Sequence, residues 1–273
     1  MSIKRKLISR FSGSALLDNI VYTSRHGLSR GLKRQGGLGW FPSYIPRFSK
    51  WHAEEHFLEK IDFQGMKVYD VGGDQGLFTL FFANRVGDTG GVVVFEPNKK
   101  SLQRIRRNIL INGFTNITVI PRGLAENQAR RQFKYPPGEP ALGSVFGGAD
   151  DIRHEDIQNE NVIHCEIEVN ALDNEITQES LPVPDFIKLD VEGMEYPALK
   201  GMINTLRQHR PRLYIEIHGD SYSSKLANVS NVVAFLDDLG YRIRHVESGN
   251  HINKANMHLA VEGHLYCEAT LDA

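Results

Sequence analysis

Apolar residues along this chain fall into two alternating kinds of run. Short β-branched runs cover Lys67–Val71, Gly91–Phe95, Ile117–Ile120, Asp185–Leu189 and Arg212–Ile217. They are apolar almost throughout, the pattern of strands buried on both faces. Between them lie helical stretches: Leu77–Arg85, Asn98–Ile111, Tyr196–Gln208 and Val229–Leu239. In the second of these, Leu102, Ile105, Ile109 and Leu110 gather on one side, and Lys99, Lys100, Arg104 and Arg107 lie elsewhere. Asn98 is placed to cap it and Gly113 to end it. Trp51–Lys60 predicts a short helix. His164–Val169, Tyr241–Val246 and Met257–Cys267 predict further strands. Residues 121–160 break the rhythm with Pro121, Pro136, Pro137 and Pro140, and predict a long loop with a hairpin through Gln132–Tyr135. Such alternation predicts an α/β fold, a Rossmann-like doubly wound sheet with helices on both faces. In that architecture ligands bind beyond the carboxyl ends of the strands.

Four strand ends carry the chemistry. The first strand runs into Asp70-Val-Gly-Gly-Asp-Gln-Gly76. Glycines allow a sharp turn and a close ligand approach. A dinucleotide would put its pyrophosphate at the following helix N-terminus, where Asp70 and Asp74 would repel it. S-adenosylmethionine, a cation without phosphate, suits those acids. The second strand ends at Glu96, before Pro97 and Asn98, where an acid can accept hydrogen bonds from both ribose hydroxyls of an adenosine. The third cluster is Lys188-Leu-Asp190-Val-Glu192-Gly193-Met-Glu195. Asp190 and Glu192 lie where substrate should meet cofactor, although either could cap a helix. On the next strand Tyr214, Glu216 and His218 share a face. His218, at its end, is a candidate general base, and a structural histidine is the competing reading.

Composition narrows the picture little; charge placement changes it more. Over 273 residues, 41% are apolar and 24% charged, which excludes a disordered or fibrous chain. Cys165 and Cys267 form no zinc spacing, so neither a disulfide framework nor a cysteine-built metal site is expected. No apolar run reaches a bilayer-spanning length, and the N-terminus has no secretory h-region, which makes a cytoplasmic location the expectation. The net charge of −1 conceals ten Lys and Arg against the single acid Asp18 in residues 1–50. The chain therefore divides into a basic, partly helical N-terminal extension over 1–50 and a Rossmann-like domain over 51–273. The extension has four readings: a solvated arm packed on the body, a peripheral membrane contact made by residues 1–35, a nucleic-acid or anion contact, or a transit peptide. Because the alternating pattern starts later, removing residues 1–35 is expected to leave a folded body.

Asp70–Thr79, Val94–Asn98 and Ile187–Tyr196 together resemble the FkbM family of S-adenosylmethionine-dependent methyltransferases, over about residues 60 to 220. The resemblance implies a class I methyltransferase sheet of seven strands with the last antiparallel. It also implies O-methyl transfer to sugars, polyketides or other secondary metabolites. Asp70, Gly72 and Gly76 match the cofactor loop, and Glu96 the ribose-binding acid. Where the family usually has Ala-Asn, this chain has Gly73-Asp74. Gly123 and Leu124 fall where adenine-contacting backbone is expected. The full cofactor set assigned is Asp70, Gly72, Gly73, Asp74, Gly76, Thr79, Glu96, Pro97, Asn98, Gly123 and Leu124.

The expected activity is methyl transfer from S-adenosylmethionine to a hydroxyl of a small molecule or sugar. His218, with Asp190 or Glu192 beside it, is expected to take the hydroxyl proton. The same three groups could hold Mg2+, but no metal is assigned. Two alternatives are an NAD-dependent oxidoreductase and an RNA methyltransferase or nucleic-acid module using the basic arm. The near-neutral total charge speaks against nucleic acid. Nothing in the sequence specifies the acceptor or the oligomeric state.

Overall fold

The structure is a computed structural model and describes residues 20–35, 53–135, 144–146 and 163–270. The elements, in chain order, begin with β1 (Val21–Thr23) and β2 (Lys33–Gln35), followed by α1 (Ala53–Glu59), β3 (Lys67–Val71), α2 (Leu77–Val86), β4 (Gly91–Phe95), α3 (Lys99–Asn112) and β5 (Ile117–Ile120). A second group follows: β6 (Gly123–Leu124), β7 (Ala129–Tyr135), β8 (Ser144–Phe146) and β9 (Ile163–Asn170). The chain then forms α4 (Leu172–Gln178), β10 (Phe186–Leu189), α5 (Glu195–Lys200), α6 (Ile203–His209), β11 (Arg212–Glu216), α7 (Tyr222–Asp238), β12 (Tyr241–His245), β13 (His251–Ile252) and β14 (His264–Ala269).

The main sheet has the order β13-β12-β14-β11-β10-β3-β4-β5. Strands β11, β10, β3, β4 and β5 run parallel. β14 enters antiparallel between β11 and β12. The expected seven strands with the last antiparallel are therefore present, and two-residue β13 adds an eighth at the edge. Alternation along the strands builds two cores. Tyr69, Val71, Ile187, Leu189 and Ile215 meet α5, α6 and α7 on one face. Val68, Phe186 and Tyr214 meet Phe63, Phe81 and Phe82 on the other.

Two helices, α3 and α7, start at side-chain caps. Asn98 caps α3 by accepting from the amides of Lys100 and Ser101 at 2.8 and 3.2 Å. Gly113, at φ +72°, closes it. The single helix expected over 196–208 is two helices. Gly201 lies between them, and a Cβ there would stand 2.0 Å from the Ala125 carbonyl oxygen. Helix α7 starts seven residues before the expected Val229, because Ser221 and Ser224 form a reciprocal capping box. The strand expected from Met257 begins only at His264, and Met257–Ala260 is a 3-10 turn.

Two segments differ more. The loop expected over 121–160 contributes, with β9, to a second sheet of order β6-β9-β7-β8. β7 pairs with β9 along its whole length, Ala129↔Val169 to Tyr135↔Ile163. Prolines 136, 137 and 140 lie outside the described residues. In the basic segment, β1 and β2 form an antiparallel hairpin that docks on α3. The Gln35 amide donates to buried Asn108 at 2.7 Å, and Asn112 exchanges two hydrogen bonds with the Lys33 backbone. Leu28, in the hairpin turn, joins the Phe63–Phe82 core. The helical part expected for the extension falls on residues that are not described. Deleting residues 1–35 is therefore expected to leave a domain weakened by about 1.5–3 kcal/mol, the value of one buried leucine. Urea unfolding of full and shortened chains checks this; equal midpoints would show that the hairpin contributes nothing. Among the described residues, no helix is long and apolar enough to cross a membrane.

Candidate active site

A cleft opens at the carboxyl ends of β3, β4 and β10, where a doubly wound sheet places its ligands. Gly72, Gly73 and Asp74 form one rim, Glu96 and Pro97 the next, and Asp190, Val191 and Glu192 the third. The small sheet supplies an apolar wall from Phe133, Ile167 and Val169, with Gly123 and Leu124 at its foot.

Backbone hydrogen bonds hold the rims together. The amides of Gly72 and Gly73 donate to the Phe95 carbonyl at 3.0 and 3.2 Å, and the Asp190 amide donates to that of Val71 at 3.1 Å. Gly72 has φ +86°, and a Cβ on it would lie 1.8 Å from the Asp190 carbonyl oxygen. Only glycine lets these two loops meet. Asp74 at φ +43° and Glu192 at φ +52° are non-glycine residues in the left-handed region. Both face the cleft, and such strain gathers at functional sites.

Glu96 is buried. Its carboxylate accepts the Asn98 amide at 2.7 Å on one oxygen and the Asp74 amide at 2.9 Å on the other. Each oxygen keeps a lone pair for a ligand hydroxyl. Burial, only partly offset by the two amides, pushes its pKa up to about 8. Burial likewise raises Asp74.

Four members of the assigned cofactor set do not line the cleft. Asp70 is fully buried beneath it, accepting from the Thr79 hydroxyl at 2.5 Å. Gly76, at φ +83°, turns the chain into α2 against Ile105. Asn98 serves α3 as its cap. Gly72, Gly73, Asp74, Glu96, Pro97, Gly123 and Leu124 do line it.

The three catalytic candidates are brought together. His218 Nε2 lies 3.6 Å from Asp190 Oδ1, 3.8 Å from Glu192 Oε1 and 3.5 Å from Glu216 Oε1. Its Nδ1 meets Glu195 Oε1 at 3.0 Å, and Asn228 holds the other Glu195 oxygen at 2.6 Å. Burial opposes charge on the ring. The neighbouring carboxylates of Glu195, Glu216 and Asp190 outweigh it, raising His218 to about 11. The neutral histidine expected from sequence thus meets surroundings that favour the imidazolium. Burial raises Glu192 to about 7, with His218 opposing. Asp190, Glu192 and His218 present atoms close enough to hold a metal ion.

Lys188 was quoted in the sequence motif without a role. It is 1% exposed, and its ammonium donates to Asp190 Oδ2 at 2.8 Å. A lysine inside an otherwise apolar strand is a signal in its own right, since burying a charge demands a partner. Glu195, in the same motif, likewise had no role assigned, and Asn228, which holds it, had no comparable signal.

A family profile described as the methyltransferase FkbM domain matches residues 70–243, well over half of the chain. The chain belongs to the FkbM methyltransferase family. Membership decides between the oxidoreductase and methyltransferase readings, and S-adenosylmethionine as cofactor accords with it. The fold resembles that of methyltransferase FkbM from Methylobacillus flagellatus KT, at 21% identity and a TM-score of 0.51, covering 84% of this chain. This chain spans about half of that one, 52%. Weaker likeness links it to a SAM-dependent methyltransferase from Aquifex aeolicus, with 15% identity, TM-score 0.43 and coverage of 84% and 98%. Cofactor-bound Rv0187 from MTB is similar at 12% identity, TM-score 0.44, with coverage of 75% and 72%. No curated protein matches the chain significantly.

Proposed function

We propose that this FkbM-family chain transfers the methyl group of S-adenosylmethionine to a hydroxyl of a small molecule or sugar. The observation that carries the reading is one cleft with a ribose-type acceptor, Glu96, on one rim and a carboxylate pair, Asp190 and Glu192, on another. When bound, S-adenosylmethionine supplies an electrophilic methyl on a sulfonium.

The chain's own work is positioning and proton handling. Glu96 would take the ribose hydroxyls on its free lone pairs. Phe133, Ile167 and Val169 would give the purine an apolar wall. Holding the nucleophile and methyl at attack distance is worth up to roughly 7–11 kcal/mol. Glu192 lines the cleft and is the most exposed carboxylate around His218. It receives the proton of the acceptor hydroxyl. His218 lies between the carboxylates and keeps Glu192 and Asp190 oriented.

Calorimetry with S-adenosylmethionine and NAD, followed by an acceptor screen with labelled cofactor, tests the reading. NAD binding without S-adenosylmethionine binding would end it, and label transfer only to RNA would replace the acceptor class. Glu96→Ala should weaken cofactor binding by about 1.5–3 kcal/mol, the value of hydrogen bonds to a charged group. The ionised carboxylate is the better acceptor, and below about pH 8 binding must first release its proton. Wild-type affinity should therefore gain on the variant as pH rises toward 8. An unchanged affinity, or a gap independent of pH, would take Glu96 out of the site.

A further inference from the structure

Beside the cleft, on the far side of Glu216, lies a second group of ionisable side chains. Glu54 comes from α1, Glu216 ends β11, and His264 opens β14. The sheet register places Glu216 directly opposite His264. Glu247 fixes the imidazole. One of its oxygens bonds His264 Nδ1 at 2.6 Å, and the other accepts the His264 amide at 3.0 Å. That leaves Nε2 pointing between two carboxylates, 3.5 Å from Glu54 Oε1 and 3.6 Å from Glu216 Oε2.

These separations are too long for good hydrogen bonds. Glu54 Oε1 and His264 Nε2 are both buried without a hydrogen-bond partner. Ligand atoms about 2.1–2.2 Å from one ion, at roughly tetrahedral angles, lie about 3.5 Å apart. A ring nitrogen anchored through Nδ1 to a carboxylate, with Nε2 free, is the usual posture of a metal-bound histidine. Tyr214 gives an independent sign. It is fully buried, stacks on His264 with centroids 5.2 Å apart, and its hydroxyl has no partner. The charges acting on that hydroxyl are those of Glu54, Glu247, Glu216 and Asp190. Water bound to an ion is one partner that such a buried hydroxyl can take. The neighbouring Asp190–Glu192–His218 group differs, because Lys188 already neutralises Asp190.

We propose that Glu54, Glu216 and His264 bind a divalent first-row cation of the Mn2+ or Zn2+ kind, with Glu247 orienting the imidazole and Tyr214 stacked on it. Mixed carboxylate and imidazole donors suit this class better than Ca2+. The site stands on its own geometry and does not depend on the methyl-acceptor reading.

The test uses the full chain, stripped with chelator and titrated with MnCl2 and ZnCl2 by calorimetry, with Mn2+ paramagnetic resonance as a second readout. Saturable binding of one equivalent is expected. Glu54→Gln and His264→Gln should each weaken it at least about tenfold, and Glu247→Gln by about 10–100-fold. Glu192→Gln should leave it unchanged. Retained S-adenosylmethionine binding and melting temperature show that a variant is folded; if Glu54→Gln is not, Glu247→Gln decides. No saturable binding of either ion overturns the proposal. So does binding that survives the Glu54, Glu247 and His264 changes but is lost in Glu192→Gln.

Discussion

Exchanging Lys188 for methionine is expected to lower the stability of the domain by about 3–5 kcal/mol at neutral pH. The ammonium is sealed from water, donates to Asp190 at 2.8 Å and lies 4.5 Å over the ring of Phe78. It is also the charge that offsets the burial of Asp70, whose pKa desolvation raises to about 6. One Asp70 oxygen is held by Thr79, and the other has no hydrogen-bond partner. Methionine keeps the length and packing of the side chain, so the loss measured is that of the cation. The sign with pH follows from Asp70. An acid whose folded pKa lies above its unfolded value destabilises the fold wherever it must ionise, and removing Lys188 raises that pKa further. Below about pH 6 Asp70 is protonated in both proteins, and the deficit should narrow. Urea midpoints at pH 7.5 and pH 5 read both effects. A variant as stable as the wild type at pH 7.5 would mean that Lys188 carries no structural charge balance.

Glu192→Gln is expected to lower kcat by about 10²–10⁴-fold, the usual weight of a positioned proton acceptor. Affinity for S-adenosylmethionine should hold, because the ribose end of the cleft is untouched. The acceptor used is the one found by labelled-cofactor screening. Glutamine preserves shape and hydrogen bonding and removes only basicity. A conservative Glu192→Asp change should recover part of the rate if proton transfer is what was lost. Full turnover in Glu192→Gln would remove it as the base.

The parallel strands and the clustering of the three motifs were legible in the sequence because buried strands leave uninterrupted apolar runs, and glycine marks where backbones must pass closely. Gly72, Glu96 and Asp190 converge as their strand ends foretold. The second sheet was less legible. β7 is the charged run Ala-Arg-Arg-Gln-Phe-Lys-Tyr, whose pairing with β9 spans some thirty residues that include three prolines. Local pattern reports burial, and this strand buries little more than Phe133. The environment of His218 was hidden for another reason. Asp190 and Glu192 stood out in one motif and Glu216 on the adjacent strand, but Glu195 reaches the ring from α5 and Asn228 from α7. A pKa is the sum of such neighbours, and they are assembled only by tertiary packing. Thr79 shows the opposite case: its place in the cofactor motif is explained by support for Asp70 beneath the cleft.

The contact between Gly72 and the Asp190 carbonyl has a mechanical consequence. With no room for even a methyl group between them, the rim beside Glu96 and the rim bearing the carboxylates are splinted to adjacent parallel strands and cannot hinge apart. Breathing of the cleft must then come from the remaining wall, the four-stranded sheet bearing Phe133 and Ile167, whose smaller apolar cluster is separate from both main cores. Amide hydrogen exchange should accordingly be faster in β7 and β9 than in β3 and β10, and a bound ligand should slow it most on that wall.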